Sequence, residues 1–320
     1  MNFLLCKLIP KGSFHIGKRE GWYEDSEIFI HSDTLFSALC NNYLLLYGKN
    51  ELTKLLEQFL TQQPPFLISS IFPIWNDIYY FPVSLISIAH TLSKKIKKIK
   101  FVSVNLLNEL LQGKTFEDSH YNQETIPLIS EKEILYPWKV ESVPRIGLNR
   151  LSNHPGENYF HFGQVFYQKD SNLFFLIDIK NANIEKKLKS AIYLLVDEGI
   201  GGDRTCGKGF FYKPEFKEIS FDPINSSNAF YSLSLYYPTE SEAQEIDFGK
   251  SYYNLLERKG YIFSLGGKSI RRRSIRTFIE GSVFFSNKIL SGKLVDVTPD
   301  TYRNKHNVYR YGFAFFLPCK

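Results

Sequence analysis

The sequence predicts an α+β fold in two domains: a first domain with the ferredoxin-like order βαββαβ, and a second that is rich in strands. Short apolar runs typical of strands alternate with segments of helical periodicity over the first two thirds of the chain. Residues 222–228 (DPINSSN) are dense in Pro, Asn and Ser, which favours a linker. We therefore assign residues 1–221 to the first domain, 222–229 to the linker and 230–320 to the second domain. A length of 320 residues allows both domains.

The first domain begins with a predicted strand at residues 3–9 and a polar loop that runs to residue 27. Ser32 is expected to cap a helix, because apolar residues recur at helical spacing after it and Gly48 follows as a stop. A second amphipathic helix is expected at 51–62, and apolar runs predict strands at 66–75 and 78–85. A strand at 173–179, a helix at 184–196 and a strand at 213–219 complete the domain.

Residues 113–170 lose the periodic pattern and gain Pro and Gly, which indicates an insertion. Within it, VPRIGLNRL (143–151) and NYFHFGQVF (158–166) predict the two strands of a hairpin whose turn lies near 153–158. Such a hairpin would project from the body as an arm. Arg145 and Arg150 at its base or edge could follow a nucleic-acid backbone, although surface arginines are commonly only solubilising.

The second domain is predicted to contain strands at 230–237, 277–285, 292–297 and 308–317, and a hairpin at 252–265 with its turn at 258–260. Before the strand at 277 lies the basic segment GGKSIRRRSIR, residues 266–276. Its cations include Lys268, Arg271, Arg272 and Arg273. This segment could contact nucleic acid, or it could pair with the acidic segment at 240–247.

Net charge, cysteine content and the length of apolar runs limit the classes of function that this protein can have. A net charge of +6 permits an acidic partner such as nucleic acid without requiring one. The four cysteines lie far apart with no CxxC pair, so neither a zinc site nor a disulfide framework is expected. The N-terminal apolar run is too short for a signal peptide and no window has the length of a membrane span. We expect a cytoplasmic protein with no membrane contact, no metal and no cofactor.

The densest functional signal is GIGGDRTCGKGFF, residues 199–211, with five glycines and the cations Arg204 and Lys208. Glycines free the backbone to bend and to approach a ligand, and exposed N–H groups beside two cations favour phosphate. The alternative is a helix C-cap at Gly199 followed by a loose loop. A nucleotide-triphosphate loop is excluded because Gly209 stands where Ser or Thr must hold Mg²⁺, and because the loop follows a helix instead of preceding one.

Two histidines are candidate polar contacts. His15 lies in the polar loop after the first strand, and His31, with Ser32 and Asp33, opens the first predicted helix. These three adjacent residues are not expected to form a catalytic triad, since neighbours one and two apart on a helix point away from each other. Of the aromatic residues, which make up 16% of the chain, most are expected in the core, while Phe14 and Phe210 are candidate faces for unpaired bases.

Four blocks of the sequence stand out: HSDTLFSAL (31–39), GIGGDRTCGKGFF (199–211), FIEGSVFF (278–285) with GKLVDVTP (292–299), and HNVYRYGFAFFLP (306–318). These blocks resemble the RAMP superfamily of CRISPR effector subunits and, within it, are similar to the subunit-four family of the type III-A (Csm) interference complex. The resemblance implies two RAMP-type, ferredoxin-like domains. It further implies a non-catalytic scaffold that caps the 5′ repeat-derived handle of the guide RNA (crRNA) and bridges the large polymerase-like subunit to the backbone subunit.

Through the guide, such a subunit would meet target RNA indirectly, and residues 145–166 would form a thumb that interrupts the guide. The residues expected to contact RNA are Gly201, Gly202, Asp203, Arg204, Thr205, Gly207, Lys208, Gly209, Phe14, His15, His31, Ser32, Arg145, Arg150, Lys268, Arg271, Arg272 and Arg273.

Two alternatives stay open. One is a metal-independent endoribonuclease that processes guide precursors, with His15 or His31 as general base or acid. The other is a protein-interaction module without RNA contact.

Overall fold

The computed structural model describes residues 1–18, 23–89, 93–116, 124–129, 134–148, 151–152, 154, 159–222, 224, 227–263 and 270–320. The α-helices are α1 (Ser32–Leu60), α2 (Leu85–Ala89), α3 (Val104–Leu111), α4 (Ala182–Glu198) and α5 (Glu240–Glu245). None of these helices combines the length and the apolar character needed to cross a lipid bilayer. The fold is mixed α/β, and its strand pairs are antiparallel.

An eight-stranded sheet organises the first two thirds of the chain. Its strands lie in the order β12-β1-β11-β3-β4-β5-β6, with β2 also paired to β11. Their bounds are β1 (Asn2–Leu8), β2 (Phe66–Ile68), β3 (Phe72–Trp75), β4 (Ile78–Pro82), β5 (Phe101–Ser103), β6 (Thr125–Ile126), β11 (Ser171–Ile179) and β12 (Glu215–Ser220). The central strand β11 carries a continuous apolar run, residues 173–177, that is fully buried, as expected for a strand covered on both faces.

The start and course of α1 differ from the prediction. His31 is the N-cap residue and makes no side-chain capping bond. Ser32 is already helical, and its hydroxyl accepts a hydrogen bond from the N–H of Leu235, 3.1 Å away. Gly48 leaves the helical conformation at φ 78°, but the chain resumes a helix and continues to Leu60. The predicted stop is therefore a kink, and the predicted second helix is the far half of α1.

The predicted pairing of two strands in the insertion is observed, but the first strand begins at residue 138 and ends at 146 instead of running from 143 to 151. β9 (Trp138–Ile146) and β10 (Tyr159–Tyr167) pair from Trp138↔Tyr167 to Ile146↔Tyr159. The predicted turn of this hairpin falls largely outside the described residues. The short strands β7 (Leu128–Ile129) and β8 (Ile134–Leu135) precede it as a separate pair.

The last third of the chain forms three small sheets. Their strands are β13 (Ala229–Ser232), β14 (Leu255–Arg258), β15 (Ile275–Phe278), β16 (Val283–Phe285), β17 (Gly292–Asp296), β18 (Tyr309–Phe313) and β19 (Phe316–Cys319). The predicted hairpin at 252–265 is wrong, because β14 pairs with β15. The predicted strand at 277–285 is divided into β15 and β16 by Gly281, whose φ is 85°.

The two ends of the chain share one hydrophobic core. A single cluster of buried residues joins Leu5 of β1 and Phe59 of α1 to Tyr311 and Leu317 near the C-terminus. The Tyr311 ring stacks on Phe36 at 4.8 Å between centroids, and its hydroxyl accepts a hydrogen bond from the N–H of Ile68. Helix α1 therefore lies between the large sheet and the C-terminal strands, and its first turn faces residues of the last third of the chain.

Candidate functional site

The glycine-rich segment 199–209, called here the glycine loop, leaves α4 with several residues in the left-handed region. Gly199 ends the helix at φ 74° and its N–H donates to the Leu195 carbonyl, as predicted for a C-cap. Gly201 has φ 92° and Asp203 has φ 63°, and a single 3₁₀ turn, Arg204–Cys206, follows. Loop residues also bond to neighbouring segments, because Gly202 N–H donates to the His15 carbonyl and Gly209 N–H donates to the Ser13 carbonyl.

Two of the glycines are required by close contact. A Cβ on Gly201 would lie 2.4 Å from the His15 carbonyl oxygen, and a Cβ on Gly209 would lie 2.1 Å from the Ile200 carbonyl oxygen. Either contact would force the backbone apart. The alternative of a loose loop is therefore wrong at the base of the segment, where backbone packs directly on backbone.

The tip of the glycine loop is open to solvent. Gly202, Thr205 and Gly207 are exposed, while Arg204 is partly exposed. The N–H groups of residues 203–205 donate to no acceptor among the residues that the structure describes. Consecutive unpaired N–H groups form a concavity suited to anions. Lys208 follows the tip in sequence, with Nζ 6.0 Å from the centre of the Phe166 ring.

The hairpin arm braces this loop. Arg145 on β9 lies 2.6 Å from Asp203 Oδ2 and covers the Phe162 ring of β10 at 4.6 Å. His15 Nδ1 lies 2.8 Å from the Gly163 carbonyl oxygen. Burial lowers the pKa of His15 below its ordinary value, although the bond to Gly163 opposes this. Arg145 thus joins the arm to the loop instead of projecting freely into solvent.

Besides Gly209 at the base of the glycine loop, four of the predicted contact residues are buried. Phe14 is 1% exposed and stacks on Tyr167, while His15 and Ser32 are also inside. His31 is 4% exposed, with Nδ1 2.9 Å from Glu280 Oε1. Each of these four side chains fills or orders the interior beneath the glycine loop and α1, and their contact with RNA stays a prediction.

A cleft of about 220 Å³ opens beside the glycine loop, at the seam between the two parts of the chain. Its walls come from the start of α1, the glycine loop, the residues after β14 and strand β18. They include Asp33, Asn41, Gly201, Arg204, Phe263 and Arg310. The Arg204 guanidinium covers the Phe263 ring at 4.9 Å. The loop and the basic segment thus meet at one site, although they are about 60 positions apart in sequence.

A buried ionic cluster forms the floor of the cleft. Arg258 of β14 contacts both carboxylate oxygens of Asp33, at 2.9 and 2.8 Å, and Arg310 of β18 also bonds to Asp33. Burial by itself would raise the pKa of Asp33, but the two guanidiniums outweigh it and hold the pKa well below its ordinary value. This cluster does not follow from the sequence patterns. Its one local signal was Arg310, a cation inside the apolar strand YRYGF, because such a residue needs a buried partner.

The predicted basic segment is divided between different environments. Arg272 lines the cleft, Arg273 pairs with Asp300, and Arg271 lies exposed, 5.9 Å from the Tyr261 ring centre. Among the described ion pairs, carboxylates of the acidic segment 240–247 pair with Lys250 and Lys288, and none pairs with Arg271, Arg272 or Arg273, the alternative that the sequence had left open. Arg150 and Lys268 lie outside the described residues.

Comparison with known proteins identifies similar chains over nearly the whole length. The family described as the CRISPR Csm4 C-terminal domain matches residues 225–319. The CRISPR-system protein Csm4 of Methanocaldococcus jannaschii is 30% identical over 379 aligned positions, which cover 99% of this chain and 97% of that protein. Csm4 of Thermococcus onnurineus is 27% identical and covers 99% of this chain and 96% of that protein.

Solved structures agree on the fold. A chain from the crystal structure of a Csm3–Csm4 subcomplex of the type III-A CRISPR–Cas interference complex has a TM-score of 0.70, with 24% identity and 99% coverage of both chains. A chain from a Csm1–Csm4 cassette in complex with AMPPNP has a TM-score of 0.63, with 21% identity, and covers 100% of this chain and 98% of that one.

Proposed function

We propose that this chain, which belongs to the Csm4 family of CRISPR-system proteins, is the subunit of a type III effector complex that binds the 5′ handle of the guide RNA. The observation that carries the proposal is the glycine loop, which places unpaired N–H groups beside Arg204 and Lys208 at an exposed tip. Single-stranded RNA presents phosphates to such amides and cations, and bases to aromatic faces such as Phe263.

The order of the strands supports two ferredoxin-like units. In the first, β12-β1-β11-β3 is the order expected when a βαββαβ chain places its fourth and third strands on either side of its first. In the second, β19-β13-β16 repeats the same arrangement of fourth, first and third strands. The second unit has the hairpin β17–β18 where a second helix would stand, which accords with its strand-rich sequence.

The arm is proposed to act as a thumb against the guide. Beyond its contacts with the glycine loop, the arm exposes apolar side chains on both strands: Ile146 is 52% exposed and Tyr159 is 61% exposed. Exposed apolar side chains on a projecting hairpin favour contact with another surface, and an aromatic ring offers a stacking face to a base.

Contacts with neighbouring subunits belong to the same proposal. The solved relatives contain Csm4 with Csm3 in one case and with Csm1 in another. We infer that this chain likewise joins a backbone RAMP subunit to the large polymerase-like subunit, and meets target RNA only through the guide. The exposed leucines Leu44, Leu45 and Leu46 on α1 suit such protein contacts.

The role is proposed to be non-catalytic. An endoribonuclease of this superfamily would need His15 or His31 within reach of a 2′-hydroxyl. Both rings are buried, and each holds a hydrogen-bond partner inside the protein, Gly163 for His15 and Glu280 for His31. Incubation of the purified protein with repeat RNA and a chelator tests this, since site-specific cleavage that is lost in His15→Ala or His31→Ala would establish the enzyme instead.

The decisive experiment measures guide binding by an Arg204→Ala, Lys208→Ala double variant. We expect weaker binding of repeat-derived single-stranded RNA, and a slope of log affinity against log salt that is smaller by about 1.4, since each neutralised phosphate contributes roughly 0.7. The matched control is Lys49→Ala with Lys186→Ala, two exposed cations away from the loop. Equal binding by all three proteins, with unchanged guide retention in the assembled complex, would favour an interaction module without RNA contact.

A further inference from the structure

Arg272 is a largely buried cation that forms no ion pair with the residues that the structure describes. Its backbone N–H donates to the Gly260 carbonyl, but its guanidinium makes no hydrogen bond or ion pair with any described residue. Its Nε is fully shielded from solvent. Burial, followed by repulsion from Arg310, lowers the pKa of Arg272 to about 10. A cation held in this way is costly unless something outside the chain compensates it.

The neighbours of Arg272 do not supply that compensation. The nearby carboxylate of Asp33 is already bonded to Arg258 and Arg310. Arg310 is 3% exposed and its own Nε also lacks a partner. The next buried carboxylate, Glu280, is engaged by His31 and Ser70. Three arginines therefore surround one aspartate, and the floor of the cleft carries an excess of positive charge.

We propose that the cleft between the glycine loop and β18 is a phosphate-binding site, in which Arg272 and Arg310, with Arg204 at the rim, hold one phosphodiester of the bound RNA. This assignment rests on the proposed function for the identity of the ligand. The arginines come from three separate segments, the glycine loop, the residues after β14 and strand β18, and together they line one cleft, which suits an anion with several oxygens. At roughly 30 Å³ per water molecule, the cleft would hold about seven waters, so a phosphate group fits.

The cleft favours a nucleic acid over an acidic peptide because of its aromatic rim. Phe263 is 55% exposed and lies under the Arg204 guanidinium. A base placed on this ring would stack on an aromatic face and beside a cation, while its phosphate reaches the buried arginines. A carboxylate side chain would neutralise the arginines but would not stack on the exposed part of the Phe263 ring.

Occupation of the site would also join the two parts of the chain. Arg204 belongs to the glycine loop of the first part, whereas Arg272 and Arg310 belong to the second. One phosphate shared by these groups therefore bridges the seam. The ligand should raise the thermal stability of the whole chain, because it binds the folded arrangement and not the unfolded chain.

The test uses the full chain, with inorganic phosphate, adenosine 5′-monophosphate and a glutamate-rich peptide as separate probes at matched ionic strength. Thermal unfolding is followed for the wild type, for Arg272→Gln and for the matched control Arg276→Gln, an exposed arginine on β15 that does not line the cleft. We expect phosphate to raise the melting temperature of the wild type and of Arg276→Gln by several degrees, and the monophosphate to raise it further. Arg272→Gln should lose these shifts.

A second expectation separates a ligand site from a purely structural role. In chloride alone, Arg272→Gln should melt at a higher temperature than the wild type, because it removes a repelled buried charge. Equal phosphate shifts in all three proteins, or a greater response to the peptide than to the monophosphate, would overturn the proposal. If repeat RNA binds Arg272→Gln as tightly as wild type but binds Arg204→Ala with Lys208→Ala weakly, the phosphate site fails while the proposed function stands.

Discussion

Substitution of Asp33 by Asn directly tests the buried ionic cluster that joins the two parts of the chain. The change keeps the size of the side chain but removes the charge that compensates Arg258 and Arg310. All three side chains are largely buried, with Asp33 at 0%, Arg310 at 3% and Arg258 at 11% exposure. Removing one partner of a buried ion pair costs about 3–5 kcal/mol, because the remaining charge is left without compensation.

That cost converts into a measurable shift in melting temperature. With an unfolding entropy of roughly 2.1 cal/mol/K per residue, 320 residues give about 0.7 kcal/mol/K if the chain unfolds as one unit. We therefore expect Asp33→Asn to melt about 4–8 °C below the wild type at pH 7. The matched control Asp300→Asn breaks exposed ion pairs with Arg273 and Arg303, and should cost about 0–1 kcal/mol.

The pH dependence supplies an independent check. The pKa of Asp33 is lower in the folded protein than its unfolded value of about 3.9, so its stabilisation is fully present above that value and is lost as the pH falls through the folded pKa. The difference in melting temperature between the wild type and Asp33→Asn should therefore shrink progressively below about pH 4. The stabilising role of the ionic cluster would be refuted if Asp33→Asn lowers the melting temperature at pH 7 by no more than Asp300→Asn does. It would also be refuted if the difference from the wild type does not shrink in acid.

Three further predictions concern the loop, the arm and the helix surface. Gly209→Ala should lower the free energy of unfolding by more than Gly207→Ala does, as measured by denaturant titration. Alanine at 207 would carry only the strain of a left-handed backbone, roughly 1–2 kcal/mol, whereas alanine at 209 would also place its Cβ 2.1 Å from a backbone oxygen. Arg145→Gln should speed amide hydrogen exchange in β9 and β10 but not in β11, because it releases the arm from the loop; unchanged exchange in the arm would contradict this bracing role. Leu45→Glu should leave the melting temperature unchanged, since the side chain is 62% exposed, yet reduce co-purification of a neighbouring subunit; full co-purification would count against α1 as a docking face.

The sequence predicts correctly those helices and strands whose structure is decided by residues close together in the chain. The apolar run at 173–177 predicts β11. The spacing of Leu188, Ile192 and Leu195 predicts the buried face of α4, and Gly199 predicts where that helix ends. The strands of the arm also followed from alternation and turn residues. In each case the residues that decide the structure lie within a few positions of one another.

The errors arose where distant residues decide the outcome. Ser32 is not the cap of α1, because its hydroxyl is used by the backbone of Leu235. Strand β14 pairs with β15 and not with the residues just after its own end, a choice that local turn signals do not reveal. Gly48 bends α1 without ending it, since both halves of the helix are held by tertiary packing.

The candidate site was predicted in part. The density of glycine and cations at 199–209 marked the loop correctly as a special backbone segment, and Gly201 and Gly209 have the contacts that exclude a Cβ. The cleft could not be predicted, because it exists only where the loop meets the start of α1, the residues after β14 and strand β18. For the same reason nothing in the sequence paired Asp33 with Arg258.

The central claim is that RNA lies on the glycine loop. Its most direct test is photo-crosslinking of the assembled complex with guide RNA that carries 4-thiouridine in the repeat-derived handle, followed by mass spectrometry of the adducts. The account predicts adducts on peptides from residues 199–212 and 259–276, with the first set reduced in the Arg204→Ala, Lys208→Ala variant. Adducts confined to other surfaces of the chain, with none on the glycine loop, would contradict it.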